Sequence, residues 1–396
     1  MTTTKNNEHK NIKVPNLRFP EFEGEWEKCT LENLSTEIGD GIHATPLYDD
    51  NGTYYFVNGN NISEYGITIT PTTQRVTEAE AYRNNANILC SETILLSING
   101  TIGNVALYKG EPIMLGKSAC YINVSTKVNK HFIFHHLMMP KCQFYFTSEL
   151  TGTTIKNLSL KSVRRTKVSL PNLKEQNRIA QLFDAINERI ATQNKIIDKL
   201  QSLIKGIVDS TISCKPKNST IGNVCSVSEQ IKAVPNLDDI ITVRLHGKGV
   251  CKSSVENLQL GATQYYHRKA GQLIYGKQNF HNGAIGIVPE NLNNAITSKD
   301  IPSFDIKSSK CNPLYLLIQL QSPHYYKPAE SLTTGTGSKR LKEETFLKMP
   351  IFLPDKERQD AIAILISSIM MKLNQADKTL NLLIKQKQYL LRQMFI

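Results

Sequence analysis

The feature that most constrains this chain is that it repeats itself. Displaced by about 183 residues, Thr151-Gly-Thr-Thr-Ile-Lys-Asn-Leu158 falls on Thr334-Gly-Thr-Gly-Ser-Lys-Arg-Leu341, and Leu170-Pro171 falls on Leu353-Pro354. Gly100-Thr-Ile-Gly-Asn-Val105 falls on Gly283-Ala-Ile-Gly-Ile-Val288 without a gap. From Thr151 to Pro171 seven positions are identical, where average composition gives roughly one or two by chance. A period this long is a whole domain and not a solenoid unit. The 396 residues therefore divide into two related halves.

Each half ends in the same kind of helix. After Pro171, apolar residues fall at Ile179, Phe183, Ile186, Ile190, Ile197, Leu200, Ile204 and Ile207, with Gln193 interrupting. After Pro354 they fall at Ile362, Ile366, Ile369, Leu373, Ala376, Leu380, Leu383, Leu390 and Met394, with Lys387 interrupting. The alternating four- and three-residue steps make a heptad seam, narrower than the stripe of an ordinary surface helix. Asn172 with Glu175 predicts a capping box, and Asp355 with Glu357 supplies a cap and a first-turn carboxylate. Pro216 stops the first helix.

The rest reads mostly as β. Thr53–Val57, Thr93–Ser97, Asn104–Tyr108 and Ala119–Val124 are short, rich in β-branched or aromatic residues, and bounded by Gly, Asn and Pro. The second copy offers Ile240–Arg244, Gln272–Tyr275 and Ala284–Val288. A helix is expected at His131–Met139 and its counterpart at Pro313–Gln321. The order is domain, long helix, domain, long helix. If each domain docks at the start of the helix that follows it, the two helices run antiparallel about a pseudo-twofold axis. The expected fold is thus α+β, with two β-rich domains separated by two long antiparallel coiled-coil helices. The segments are an N-terminal arm (1–25), a first domain (26–171), a helix (172–212), a second domain (213–354) and a second helix (355–396).

Composition narrows the partners. Lys+Arg 47 against Asp+Glu 35 leaves +12, which favours an anionic partner. No apolar run is long enough for a membrane span. The N-terminal sequence lacks the apolar region of a secretory signal. The eight cysteines are scattered without a CxxC pair, which argues for reduced cytosolic thiols and against a zinc ribbon. A cytoplasmic protein is expected.

Enzyme signatures are missing. Gly110-Glu-Pro-Ile-Met-Leu-Gly116-Lys117-Ser118 resembles a phosphate loop, but it has five residues between its glycines and lies between two strand candidates. Asn312-Pro313-Leu314 lacks the second proline and the aromatic of an adenine-methyltransferase loop. His135-His136 reads as a helix-face pair and not as a metal site. No catalytic residue and no metal ligand is assigned.

The basic and polar residues are better placed. From Thr151 to Leu170 the chain carries Lys156, Lys161, Arg164, Arg165 and Lys167 and no acid. The second copy has Lys339, Arg340, Lys342 and Lys348, with Glu343 and Glu344 among them. A Thr/Gly/Lys loop lets backbone N–H groups and hydroxyls approach phosphate oxygens while amines neutralise charge. The candidate DNA contacts are therefore Thr151, Thr153, Lys156, Asn157, Arg164, Arg165, Thr336, Lys339 and Arg340. Asn58-Gly-Asn-Asn61 either forms a turn or presents the amides of Asn60 and Asn61 to adenine edges.

Together these features resemble the specificity subunit of type I restriction–modification systems. The resemblance rests on the two TGT-x-x-K-x-L segments, the Leu-Pro before each helix, LPNLKEQNRIAQLFDAI, VPNLRFPEFEGEW and GDGIHATPLYDDNG. It implies that each recognition domain reads one half of a split, asymmetric site in double-stranded DNA. It implies that the helices set the gap and recruit two methyltransferase subunits, which bind S-adenosylmethionine. Two restriction subunits, which use ATP and magnesium, would then join. This chain would itself be non-catalytic and hold no cofactor. The seam residues Ile179, Phe183, Ile186, Ile190, Ile197, Leu200, Ile362, Ile366, Ile369, Leu373, Leu380 and Leu383 would form the coiled coil and subunit interface. The alternatives are a coiled-coil scaffold for proteins or glycans and a nuclease with an unrecognised site.

Overall fold

The computed structural model describes residues 14–84, 86–152, 156–253, 263–335 and 338–396. Two compact units emerge. One takes the described residues up to Lys195 together with Lys378–Ile396, and the other takes Ile196–Asp377. The division falls inside both long helices, Leu173–Val208 and Lys356–Met394. Each unit therefore takes part of both helices.

In the first unit, a four-stranded antiparallel sheet takes Thr93–Ser97 as a central strand. Val105–Leu107 lies on one side of it, and Ala119–Val124 followed by Ser35–Asp40 on the other. Ile94, Leu96, Ile122 and Val124 point into a core with Phe132, Phe146 and Trp26. The expected helix is Lys130–Met138, capped by the Asn129 side chain on Phe132 N–H, and a second helix, Pro140–Ser148, follows it. Asn123 is buried in the sheet and accepts from the Thr93 hydroxyl at 2.6 Å. A separate three-stranded sheet contains Tyr54–Val57 between Arg75–Val76 and Ile113–Leu115.

The second unit repeats the four-stranded sheet strand for strand. Cys225–Val227, Ser303–Ile306, Leu273–Tyr275 and Ile285–Ile287 lie in the same spatial order. Tyr275, Phe280, Phe304 and Phe346 fill its core, with ring centroids 4.5–5.8 Å apart. Its three-stranded sheet is built differently, with Tyr265–His267 antiparallel to both neighbours, Lys232–Ala233 and Ile296–Ser298. The buried Arg268 ties that sheet to the four-stranded one. Its Nε donates to Thr297 Oγ1 at 2.7 Å and its Nη1 to Ser303 Oγ at 3.1 Å. Burial lowers its pKa to about 10, which keeps it charged at neutral pH.

The strand pairing corrects one alignment of the repeat. Gly103 and Gly283 both adopt left-handed φ, at 90° and 75°, and each stands two residues before the outer strand of its sheet. Gly283 is therefore the counterpart of Gly103 and not of Gly100, because the loops before it differ in length.

The seam is buried as the heptads predict at Ile179, Phe183, Ile186, Ile190, Ile197, Ile362, Ile366, Ile369 and Leu383, while Leu200, Leu373 and Leu380 are half-buried. Near the helix ends Met394 is buried as expected, while Val208 and Leu391 are buried one position beyond the expected Ile207 and Leu390. A straight helix drifts about 20° per heptad, so four heptads displace the seam by nearly one residue. In the first unit the start of the first helix packs against the end of the second, with the Phe183 and Phe395 rings 5.6 Å apart. In the second unit Val208 and Ile212 pack with Ile362 and Ile366. Within each unit the two helices therefore run in opposite directions.

Candidate nucleic-acid interface

A buried glutamine joins each β-rich domain to its helix. In the first unit Gln176 Oε1 accepts from Asn129 N–H at 2.9 Å, and its Nε2 donates to Pro171 O at 2.7 Å. In the second, Gln359 Oε1 accepts from Asn312 N–H at 2.9 Å, and its Nε2 donates to Pro354 O at 2.8 Å. The Asn129 amide donates to Asn177 Oδ1, and the Asn312 amide donates to Asp360 Oδ1, both at 2.7 Å. Every partner is displaced by 183. Sequence reasoning missed this clasp, although sliding the chain by 183 aligns Asn129 with Asn312 and Gln176 with Gln359.

Around this clasp the units differ. Asn172 Oδ1 caps Glu175 N–H, but the Glu175 carboxylate binds Arg18 Nε and Nη2, each at 2.7 Å. Only half of the expected capping box forms, because the better-placed guanidinium takes the carboxylate. Arg18 also donates to the carbonyls of Glu23 and Gly24, so the described part of the N-terminal arm is folded onto the helix start. His131 Nδ1 and His135 Nε2 each lie 2.8 Å from one oxygen of Asp184. Burial opposes the charge on Asp184, but the two imidazoles outweigh it and hold the carboxyl well below its ordinary range. His136 is fully buried against Lys167 O, and burial lowers its pKa to about 4. The second unit has Ile318 and Gln319 at the places of His135 and His136.

The Thr-Gly-Thr segments form matching hairpins. Thr151 pairs with Asn157, and Thr334 pairs with Arg340. The intervening Gly152 and Gly335 have φ of 92° and 127°, which a side chain rarely adopts. A Cβ on Gly335 would also lie 2.6 Å from Ser338 O. Leu158 N–H donates to Ile98 O, and Leu341 N–H to Lys277 O, which seats both hairpins on the same strand of their sheets. Thr153 and Thr336 lie outside the described residues. Arg164 is half-buried and its Nη2 donates to Ile38 O at 2.6 Å, which anchors one end of its guanidinium. Lys156 and Arg165 are exposed.

Three further loops meet the first hairpin. Asn99 bridges to Asn157. Gly59 packs over the carbonyls of Asn99 and Ser118, where a Cβ would meet them at 3.1 and 2.8 Å. Gly59 N–H donates to Ser118 Oγ at 2.8 Å, and Thr101 Oγ1 donates to Gly59 O at 3.1 Å. The exposed side chains of Asn60, Thr101, Lys117 and Lys156 thus gather along one edge of the sheet. Asn61 is not among them. Its Oδ1 caps Asn58 N–H and its Nδ2 donates to Thr68 O, each at 3.0 Å, so it builds the turn. The phosphate-loop lookalike supplies Lys117 and Ser118 from a strand-to-strand turn, in keeping with its sequence setting.

The matching edge of the second unit is laced with ion pairs. Lys277 Nζ lies 2.8 Å from Glu343, Arg340 3.3 Å from Asp300, and Lys339 3.5 Å from Glu330. The acids that neutralise this edge are also able to accept from cytosine amines.

Residues 23–202 match the family model described as the type I restriction modification DNA specificity domain. The specificity subunit of type I restriction enzyme MjaVIII from Methanocaldococcus jannaschii is 22% identical over 316 residues, covering 72% of this chain and 74% of that one. The specificity subunit of EcoBI from Escherichia coli is 26% identical over 115 residues, 29% of this chain and 24% of that one. The crystal structure of a type I restriction–modification S subunit from M. genitalium has the same fold, with a TM-score of 0.62, 16% identity, and coverage of 97% of this chain and 99% of that one. The first half of the chain thus matches a type I restriction modification DNA specificity domain, and the whole chain shares the fold of a type I restriction–modification S subunit.

Proposed function

We propose that this chain is the non-catalytic DNA reader of a type I complex. Each unit recognises one half of a bipartite, asymmetric site, and the long helices hold the two halves at a fixed spacing. The observation that carries this reading is the repeated frame. The same sheet recurs, and the hairpin and the glutamine clasp recur 183 residues apart, beneath edges of different chemistry. A reader needs phosphate contacts for register and base contacts for sequence. In the first unit Lys156 and Arg165 suit the former and Asn60 the latter. In the second unit Lys339 and Arg340 exchange their carboxylates for phosphates. Methyl transfer belongs to two methyltransferase subunits carrying S-adenosylmethionine, and cleavage to two restriction subunits using ATP and magnesium. The chain itself needs no cofactor, and it acts in the cytoplasm. Among the described residues no helix is long and apolar enough to cross a membrane.

Sequencing the methylated adenines of cells with and without the chain tests this. The expected result is a split motif present only with the chain. Identical maps would remove the proposal.

A further inference from the structure

A lysine stands where the seam of the second helix asks for an apolar residue. Lys387 occupies the place that Ile204 holds in the first helix. Its side chain is only 8% exposed, and its Nζ lies 2.7 Å from Glu64 Oε2. A buried ammonium is unfavourable unless paired, and an apolar residue of similar size in its place is often neutral or stabilising. Polar residues on a coiled-coil seam instead fix one arrangement at a cost in stability.

Glu64 lies between the two-residue strands Ile62–Ser63 and Gly66–Ile67. This hairpin continues directly from the Asn58–Asn61 turn. Asn61 links the two through Asn58 N–H and Thr68 O, and Asn104 Nδ2 holds Ile62 O at 2.9 Å. A continuous set of bonded groups therefore runs from Lys387 through Glu64 and the hairpin to the turn that presents Asn60.

We propose that the Lys387–Glu64 pair is a latch that fixes the Asn58–Asn61 turn over its DNA half-site. Both are positioning residues for recognition by the first domain. The proposal rests on the DNA-reading function above. Because the first helix carries Ile204 at the matching position, the second domain has no such latch, and only one half of the site depends on the pair.

The test uses the full chain in complex with the methyltransferase subunits that co-purify with it. Duplexes are selected from a random-sequence pool. Affinity is then measured for the selected duplex and for duplexes with one base changed in either half. Lys387→Met should leave the melting temperature unchanged or higher, because the seam becomes apolar. It should still reduce discrimination in one half of the site roughly tenfold, the scale of one well-placed base contact, and spare the other half. Glu64→Lys combined with Lys387→Glu should restore much of that discrimination. Wild-type discrimination in both halves of Lys387→Met, or equal loss in both, overturns the latch alone. A wild-type complex that selects no sequence overturns the reading function and the latch with it.

Discussion

The two units share a frame and differ at its edges. In both, a buried glutamine makes the same two bonds within 0.1 Å, 2.9 and 2.7 Å at Gln176 against 2.9 and 2.8 Å at Gln359. In both, a left-handed glycine turns a hairpin that hangs from the same strand. The edges beside those hairpins do not match. One exposes hydroxyls, amides and cations, and the other pairs its cations with acids. Against the helix start, one unit buries histidines and the other an isoleucine and a glutamine. The hydrogen-bonded clasp and the hairpin frame repeat, while the packing beside each helix start and the exposed edges diverge.

Changes on the seam have the largest expected effect. Ile190 is 2% exposed, whereas its counterpart Leu373 is half-buried. Ile190→Asp should destabilise the first unit by about 3–5 kcal/mol, the cost of an unpaired buried charge. Leu373→Asp should cost distinctly less, and both should weaken co-purification with a methyltransferase subunit. The single tryptophan, Trp26, is buried beside Phe132 in the first unit, so its fluorescence in urea follows that unit. Leu373 lies in the second unit, so circular dichroism in urea follows its loss, and equal effects of the two substitutions would show that the seam is equally buried at both places.

Acid should separate the units next. A free imidazole titrates near 6.5, and His136 near 4. Its folded pKa is depressed because the neutral form is buried. The unfolded chain therefore binds the proton first, and stability present above pH 6.5 is lost as pH falls towards 4. The loss approaches about 3 kcal/mol and should appear in the Trp26 transition. His136→Gln, which installs the residue type of Gln319, should flatten that part of the pH profile. An unchanged profile would remove His136 as its source.

The clasp itself should behave alike in both halves. Gln176→Leu and Gln359→Leu each strand a buried N–H and a buried carbonyl, at a cost of roughly 2–3 kcal/mol. Only the first should move the Trp26 transition, while circular dichroism should register both. A large inequality would mean that the matching bonds do not carry matching energies.

The edges give the smallest effect. Lys156→Ala with Arg165→Ala should lower the salt slope of DNA binding by about 0.9 per lost phosphate contact, almost equally for all sequences. Lys339→Ala with Arg340→Ala should lower it less, since these cations already face Glu330 and Asp300. Loss of discrimination at one base without a change of slope would make these residues base readers.

Much of this plan was legible in the sequence because periodicity survives translation into structure. The 183-residue offset found the hairpins and helix starts, and the heptads found Phe183 and Ile366. Its third match, Gly100 with Gly283, failed because an ungapped comparison ignores loop length. Side-chain commitments were not legible. Asn61 is the right type for DNA but commits its amide to Asn58 N–H and Thr68 O, and Arg164 anchors one end of its guanidinium on Ile38 O. Lys387 read as an interruption of the seam, since nothing local points to a carboxylate 323 residues away.

The account stands most directly on the spacing of the two halves. Four residues inserted near Lys195–Lys199 add about 6 Å of helix at 1.5 Å each. At about 3.4 Å per base pair, the unspecified gap should lengthen by one or two base pairs. Neither recognition edge is touched, so both half-site sequences should remain. Mapping methylated adenines in a strain carrying the insertion reads gap and halves together. A longer gap between unchanged halves is the predicted result, and an unchanged gap or an altered half would contradict it.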